Sequence, residues 1–321
     1  MTTTLTRRSL LAGLSVCAAA PAFAQSGRPI TMLHGFTPGA NVDLVARLIA
    51  DNLSKRLGQP IVVEPRPGAG GTTSAAAVAR AAPDGLTLTV LPGGHAVSAA
   101  IYKQLPYNAV EDFSFISMLT DFPFILVTHP DHPAKTIADV IRTAQADPGK
   151  LTCATAGNGT GMHLAFELFV SMAKAKIQHV PYRGSPQGIT DVLAQRIDFQ
   201  MDTPTVLLPF TQDGRLRPLG VTGAKRFFAV PNVPTIAEQG VTGYSVTSWL
   251  GVAGPAGLPA DFVNKVNAEI KAILAEPVVI EKLRGFGSEA MPTTPAGFKA
   301  RVAEDVAKWT KVVADANIPR V

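Results

Sequence analysis

The chain has 321 residues, 46% of them hydrophobic and 17% charged, enough to bury a sizeable core and better suited to two domains than to one. Its 29 basic and 24 acidic residues give a net charge of +5, too mild a balance to point to nucleic acid. No apolar run beyond the first 24 residues reaches the roughly 20 that a membrane span needs, so the processed chain is expected not to be membrane-inserted.

Residues 1–24 read as a targeting peptide. Arg7 and Arg8 supply a basic start, an apolar run begins at Leu10, and Ala22-Phe23-Ala24 forms a small-x-small cleavage signal before Gln25. Export to the periplasm follows, by the Sec route or by the twin-arginine route that Thr6-Arg7-Arg8-Ser9-Leu10-Leu11 resembles. Cleavage after Ala24 would lower the net charge from +5 to +3, because two basic residues and no acidic ones leave. It would also remove Cys17. Cys153 then stands alone, cannot staple the fold, and with Leu151 and Ala154 beside it reads as a small buried hydrophobe.

From residue 29 short apolar runs alternate with amphipathic helices, which predicts a mainly parallel sheet flanked by helices. A strand over 30–33 leads to a helix over 42–57, with Val45, Leu48, Ile49 and Leu53 on one face. A strand over 61–64, a helix over 72–81, a Pro83-Asp84-Gly85 turn and a strand over 86–91 complete one α/β unit. A second unit opens at 124–127. Thr136 and Asp139 have the spacing of a capping box for a helix to about 146. Strands over 151–155, 178–180, 198–201 and 218–221 alternate with helices near 161–174, 186–195 and 204–212, and Ser185-Pro186 reads as an N-cap and first-turn pair. After Pro255 two helical stripes follow, Phe262, Val266, Ile270, Ile273 and Phe298, Val302, Val306, Trp309, Val313, with no strong strand between them. Two successive α/β units suggest two lobes with a ligand where strand ends meet.

Three glycine-rich turns each follow a strand and precede a helix: Thr37-Pro38-Gly39-Ala40-Asn41, Gly68-Ala69-Gly70-Gly71-Thr72 and Gly157-Asn158-Gly159-Thr160-Gly161. Backbone N–H groups at a helix start suit an anion, whereas a single such turn is equally explained by the tight connection that glycine permits. Three of them favour an anion site. A nucleotidase loop would place a lysine after its last glycine, and none follows any of these turns. A dinucleotide fingerprint would place glycine where Met162 stands.

Catalytic and metal motifs are missing too, since neither a Gly-x-Ser-x-Gly elbow nor a His-Glu-x-x-His pair occurs. His129-Pro130-Asp131-His132 reads as a surface turn rather than a ligand pair, and His163 with Glu167 as an ordinary i,i+4 contact rather than an acid–base pair. No catalytic residue, metal or cofactor is expected. In His179-Val180-Pro181-Tyr182-Arg183-Gly184, Arg183 suits a carboxylate, and Tyr182 offers either a hydroxyl or packing. Asp43 lies in a first helical turn, where the dipole favours an acid whatever its role, and Asp202 ends a strand before Pro204.

These motifs resemble those of tripartite tricarboxylate transporter substrate-binding proteins of the Bug type. The resemblance spans nearly the whole processed chain, through TPGANVDLVARLIADNLSKRLGQPIVVEPRPGAGG, AAPDGLTLTV, LPYNAVEDFSFIS, ATAGNGTGMHLAFELF, HVPYRGSPQGITDVLAQRIDF, VPTIAEQG and WLGVAGPAGLP. It implies a two-lobed, type II-like periplasmic binding protein fold, with lobe 1 from 25–125 plus 248–321, lobe 2 from 126–247 and the ligand in the cleft. It also implies a monomer that hands a small carboxylate to transporter components in the membrane. An exported α/β hydrolase and a ligand sensor are the competing readings. By the resemblance Pro38, Gly39, Ala40 and Asp43 grip one carboxylate with Ala156, Gly157, Asn158, Gly159 and Thr160. Phe36, Thr37, Asn41, Gly70, His163, Tyr182, Arg183 and Asp202 complete the expected binding set. Ala40 departs from the family pattern, which usually has glycine there, and the backbone donors survive the change if φ is negative.

Overall fold

Two sheets organise the chain in the computed structural model, which describes residues 27–316 and 318–320. The targeting peptide, its paired arginines and Cys17 lie outside the described residues. The first stretch runs β1 (Ile30–His34), α1 (Asn41–Leu57), β2 (Ile61–Pro65), α2 (Thr72–Ala79), β3 (Thr87–Pro92), α3 (Gly94–Ile101) and β4 (Phe113–Pro123). Next come β5 (Ile125–Thr128), α4 (Ile137–Ala146), β6 (Thr152–Thr155), α5 (Gly161–Met172), β7 (Gln178–Pro181), α6 (Ser185–Leu193), β8 (Phe199–Asp202), α7 (Pro204–Gln212) and β9 (Arg217–Val221). The chain closes with β10 (Thr247–Pro255), α8 (Ala260–Leu274), α9 (Pro277–Gly285), β11 (Glu289–Ala290) and α10 (Pro295–Asp315).

One sheet has the order β11-β4-β10-β3-β1-β2 and the other β7-β6-β8-β5-β9. Both are mixed, which corrects the expectation of mainly parallel sheets. β1 is parallel to β2 and β3, but β10 is antiparallel to β3 and β4, and β11 is antiparallel to β4. β6 is parallel to β7 and β8, whereas β5 is antiparallel to β8 and β9. Two of the antiparallel strands, β4 and β10, have weak sequence patterns. β4 and β10 are almost wholly buried, so both of their faces are covered and the polar alternation that marks a half-exposed strand is lost. Helix α3 escapes detection for the same reason, with seven of its eight residues buried and no polar stripe.

Only Phe124 separates β4 in one sheet from β5 in the other. Thr222, just beyond β9, binds the chain where it changes sheets. Its hydroxyl accepts the Phe124 N–H at 2.8 Å and donates to the Val246 carbonyl at 2.7 Å, while its own N–H donates to Phe124 O at 3.0 Å. The sheets are thus joined by adjacent segments that share one buried hydroxyl.

The capping box is present. Thr136 Oγ1 accepts the Asp139 N–H at 3.1 Å, and Asp139 Oδ2 accepts the Thr136 N–H at 3.0 Å. The cap expected at Ser185 lies one residue earlier: Gly184 is the N-cap, and Ser185 is helical with its side chain bonded to the buried Asp202. Cys153 is fully buried beside β6 neighbours, and burial drives its thiol well above the ordinary range, as a packing residue requires. His129 and His132 each accept a backbone N–H from two residues on, from Asp131 and Ala134, so this stretch is a self-bonded turn.

Candidate ligand-binding site

The first turn, between β1 and α1, is braced from within. Gly39 N–H donates to Asp43 Oδ2 at 2.9 Å, and Asp43 Oδ1 pairs with His34 Nε2 at 3.0 Å and with Arg47 at 2.9 Å. Against the desolvation that would raise it, these partners, led by Arg47, hold the Asp43 carboxyl below its usual range. Both carboxylate oxygens are engaged in shaping the turn, so Asp43 supports the turn and does not line the cleft. Pro38 and Gly39 are exposed at the turn's tip, and Gly39 has φ 80°, the left-handed backbone a tight turn needs. Ala40 is the N-cap of α1 with φ −67° and ψ 159°, a conformation open to any L residue, so the alanine in place of glycine leaves the backbone path intact.

The second turn, between β6 and α5, rests on two imidazoles. Gly159 N–H donates to His163 Nδ1 at 3.3 Å, and Gly157 N–H donates to Thr155 Oγ1 at 3.4 Å, which in turn bonds His179 Nε2 at 2.6 Å. The two rings stack at 4.2 Å. Burial holds both neutral, His163 lowered to about 3, with its neighbour His179 adding to the effect, and His179 to about 4. Thr160 caps α5 by accepting His163 N–H at 3.3 Å and donates to Gly157 O at 2.8 Å. Gly159, Thr160 and His163 therefore lie behind the turn and set its shape.

One atom each from His163, Glu167 and His179 falls within 4.8 Å of the others, the spacing of a metal trio. The bond from Gly159 fixes His163 Nδ1 as an acceptor, so the proton of the neutral ring sits on Nε2, 3.7 Å from Glu167. A metal there would have to displace that proton and break the brace on the turn. The geometry is that of a scaffold.

Between the two turns lies a cleft of about 750 Å³. Its wall includes Phe36, Thr37 and Ala40 from the first turn, Gly68 to Gly70 from the 3-10 turn before α2, Ala156 to Asn158 from the second, and Tyr182 to Ser185. Arg183 carries the one charged side chain among these lining residues, is exposed, and makes no hydrogen bond or ion pair with the described residues. Tyr182 donates its hydroxyl to Asp191 Oδ2 at 2.6 Å, so it lines the cleft with its ring while its polar end is occupied. Asn158 is exposed into the same space. Opposing turns touch: a Cβ added to Gly70 would lie 3.0 Å from Asn158 O.

A second, smaller pocket of about 40 Å³ shares Phe36, Ala40 and Ser185 with the cleft, and Asn41 and Asp202 also line it. Asp202 is fully buried, accepts Thr203 N–H at 2.7 Å and Gln200 Nε2 at 2.8 Å, and is pushed above the usual carboxylate range because burial outweighs those bonds. Asn41 is 3% exposed, and neither its amide nitrogen nor its amide oxygen has a hydrogen-bond partner among the described residues.

Residues 45–318 match the family described as "Tripartite tricarboxylate transporter family receptor". The chain belongs to that family. It is 32% identical over 299 residues to Protein BugT of Bordetella pertussis, covering 92% of each chain. Among solved structures it resembles "R. palustris Rpa4515 with adipate", at TM-score 0.88 and 33% identity, over 92% of this chain and 100% of that one. It also resembles MatC (Rpa3494) from Rhodopseudomonas palustris with bound malate, at TM-score 0.84 and 30% identity, over 89% of this chain and 99% of that one. The fold is that of the two-lobed periplasmic binding proteins, and no described helix is long and apolar enough to cross a membrane.

For this receptor, reading the sequence alone overlooked His34, His179 and Thr155 as supports of the two turns. His34 could have been suspected as a histidine ending an apolar strand three residues before the first turn's Thr37, and His179 from its place in the distinctive HVPYRG stretch. Their partners are 9 and 24 residues away in sequence, so spacing alone could not have paired them.

Proposed function

We propose that this receptor is a periplasmic solute-binding protein that captures a small carboxylate between its lobes and delivers it to the membrane components of a tripartite tricarboxylate transporter. The observation that carries the reading is the cleft itself, which has turns opening α1 and α5 on opposite walls and Arg183 as its single charged lining side chain. Backbone donors at helix starts and one unpaired guanidinium suit a carboxylate, a di- or tricarboxylate or an aromatic one whose ring meets Phe36.

The capture is non-covalent and needs no cofactor. Lobe 1 comprises 25–125 and 248–321 and lobe 2 comprises 126–247. The protein acts as a monomer after cleavage behind Ala24. Affinity arises because donors from both walls meet the anion together only when the lobes close. Calorimetry of the processed protein against mono-, di-, tri- and aromatic carboxylates is the test. Binding of at least one carboxylate, lost on Arg183→Ala combined with Asn158→Ala, is expected; indifference to every carboxylate alongside a response to a nucleotide would refute the reading.

A further inference from the structure

Asn41 is the first residue of α1, and its side chain is turned into the smaller pocket rather than toward solvent. A buried amide with both its donor and its acceptor unpaired is costly, because each group has given up water without a replacement partner. It is also a pair of complementary hydrogen-bonding atoms held rigidly by a helix start. Phe36, Phe122, Phe124, Met162, Val206 and Leu250 make the apolar part of the wall, and Ser185, Asp202, Thr203 and Ser248 are its other polar side chains. Its volume of about 40 Å³ exceeds the ~10–15 Å³ that one water-sized group requires, so it admits a group of two or three heavy atoms.

Charge decides what kind of group fits. No cationic side chain lines this pocket, and its one ionisable side chain is the acid Asp202. A carboxylate placed there would have no cation to pair with, would sit beside the acid Asp202, and would surrender its hydration to aromatic rings. Arg183 lines the larger cleft and not this pocket, while Phe36 lines both. A neutral group that both donates and accepts matches Asn41 atom for atom, whereas the Ser185 hydroxyl on the same pocket wall is already bonded to Asp202.

We infer that the smaller pocket is a specificity subsite in which the Asn41 amide receives an uncharged hydrogen-bonding end of the ligand, an amide or a hydroxyl. The preferred ligand is then a small carboxylate that carries such a group at its other end. The carboxylate is held in the larger cleft between the two turns. This rests on the carboxylate reading of the cleft and adds the chemistry of the second group.

Two ligand sets of four and six carbons test it: the diacid, its half-amide, the ω-hydroxy acid and the methyl-ended monoacid, each titrated calorimetrically at neutral pH. In at least one set the half-amide or hydroxy acid is expected to bind ten times or more tighter than both the diacid and the methyl-ended acid. Asn41→Leu, near in shape and without polar atoms, should bring that ratio close to one. It should also raise the melting temperature of the ligand-free protein, because an unpaired buried amide has been removed. If the diacid binds tightest, or the ratio survives Asn41→Leu, the subsite is overturned while the carboxylate reading stands. If no member of either set binds while a tri- or aromatic carboxylate does, the subsite is overturned and the carboxylate reading stands; if no carboxylate of any class binds, both fail.

Discussion

The N–H of Gly159 donates to Nδ1 of His163 at 3.3 Å, so the helix that follows the second turn holds that turn from behind. The other glycine donor of the turn, Gly157, reaches Thr155 and through it His179. Two glycine N–H groups are thus absorbed by the scaffold, while Asn158 is exposed and lines the cleft. His163→Phe would keep the stacked shape and delete the acceptor. A stability loss of about 1–2 kcal/mol is expected in chemical denaturation, together with weaker ligand binding. Unchanged affinity would show that the brace does not tune the turn.

The same pair dictates an acid sensitivity. An unfolded imidazole takes a proton near 6.5, whereas burial lowers His163 to about 3 and His179 to about 4. Between those values the unfolded chain binds more protons than the folded one, so stability is intact above about 6.5 and falls as pH drops toward 4. The slope is at most about 1.4 kcal/mol per pH unit for each histidine. Urea unfolding at a series of pH values should show it, and His163→Gln with His179→Gln should flatten the curve. His95, also lowered to about 4 by burial, keeps its share, so a residual slope persists.

Asp43→Ala tests the first turn. The substitution leaves His34 Nε2 and Gly39 N–H without their acceptor and Arg47 without its partner. His34 is fully buried, so the penalty is that of an orphaned interior group, about 3 kcal/mol. Affinity should fall although Asp43 does not line the cleft. A thermal melt that does not move would contradict this account of the turn.

Much of this was legible in the sequence because the informative residues are local. The glycine turns, the capping box of Thr136 and Asp139 and the amphipathic stripe of α1 depend on neighbours within four residues, which spacing exposes. β4, β10 and α3 were not legible, because burial on all sides erases periodicity. The site divides in the same way. Thr37, Ala40, Asn158 and Arg183 line the cleft, while the roles of Asp43 and His163 as supports depend on partners that only the fold brings together.

Tyr182 and Asn158 should respond differently to truncation. The Tyr182 hydroxyl already belongs to Asp191, at 2.6 Å, whereas Asn158 lies exposed in the turn and lines the cleft. Asn158→Ala is expected to weaken ligand binding tenfold or more and Tyr182→Phe less than threefold, as read by calorimetry with the best ligand. Equal and negligible losses would mean that the turn is structural only.

Gly70 tests whether the two walls must approach to bind. Its φ of 65° disfavours any side chain, at a cost of about 1–2 kcal/mol, and an added Cβ would lie 3.0 Å from Asn158 O and 3.3 Å from the Gly159 carbonyl carbon across the cleft. Those atoms are backbone and belong to a braced turn, so they cannot swing aside as a side-chain end would. The least costly response to Gly70→Ala is for the lobes to part. Binding should weaken at least tenfold while the melting temperature falls only a few degrees. Small-angle scattering should show that saturating ligand contracts the native protein more than it contracts the variant. An equal contraction would mean that the 3-10 turn yields locally and that the approach of these walls is not what sets affinity.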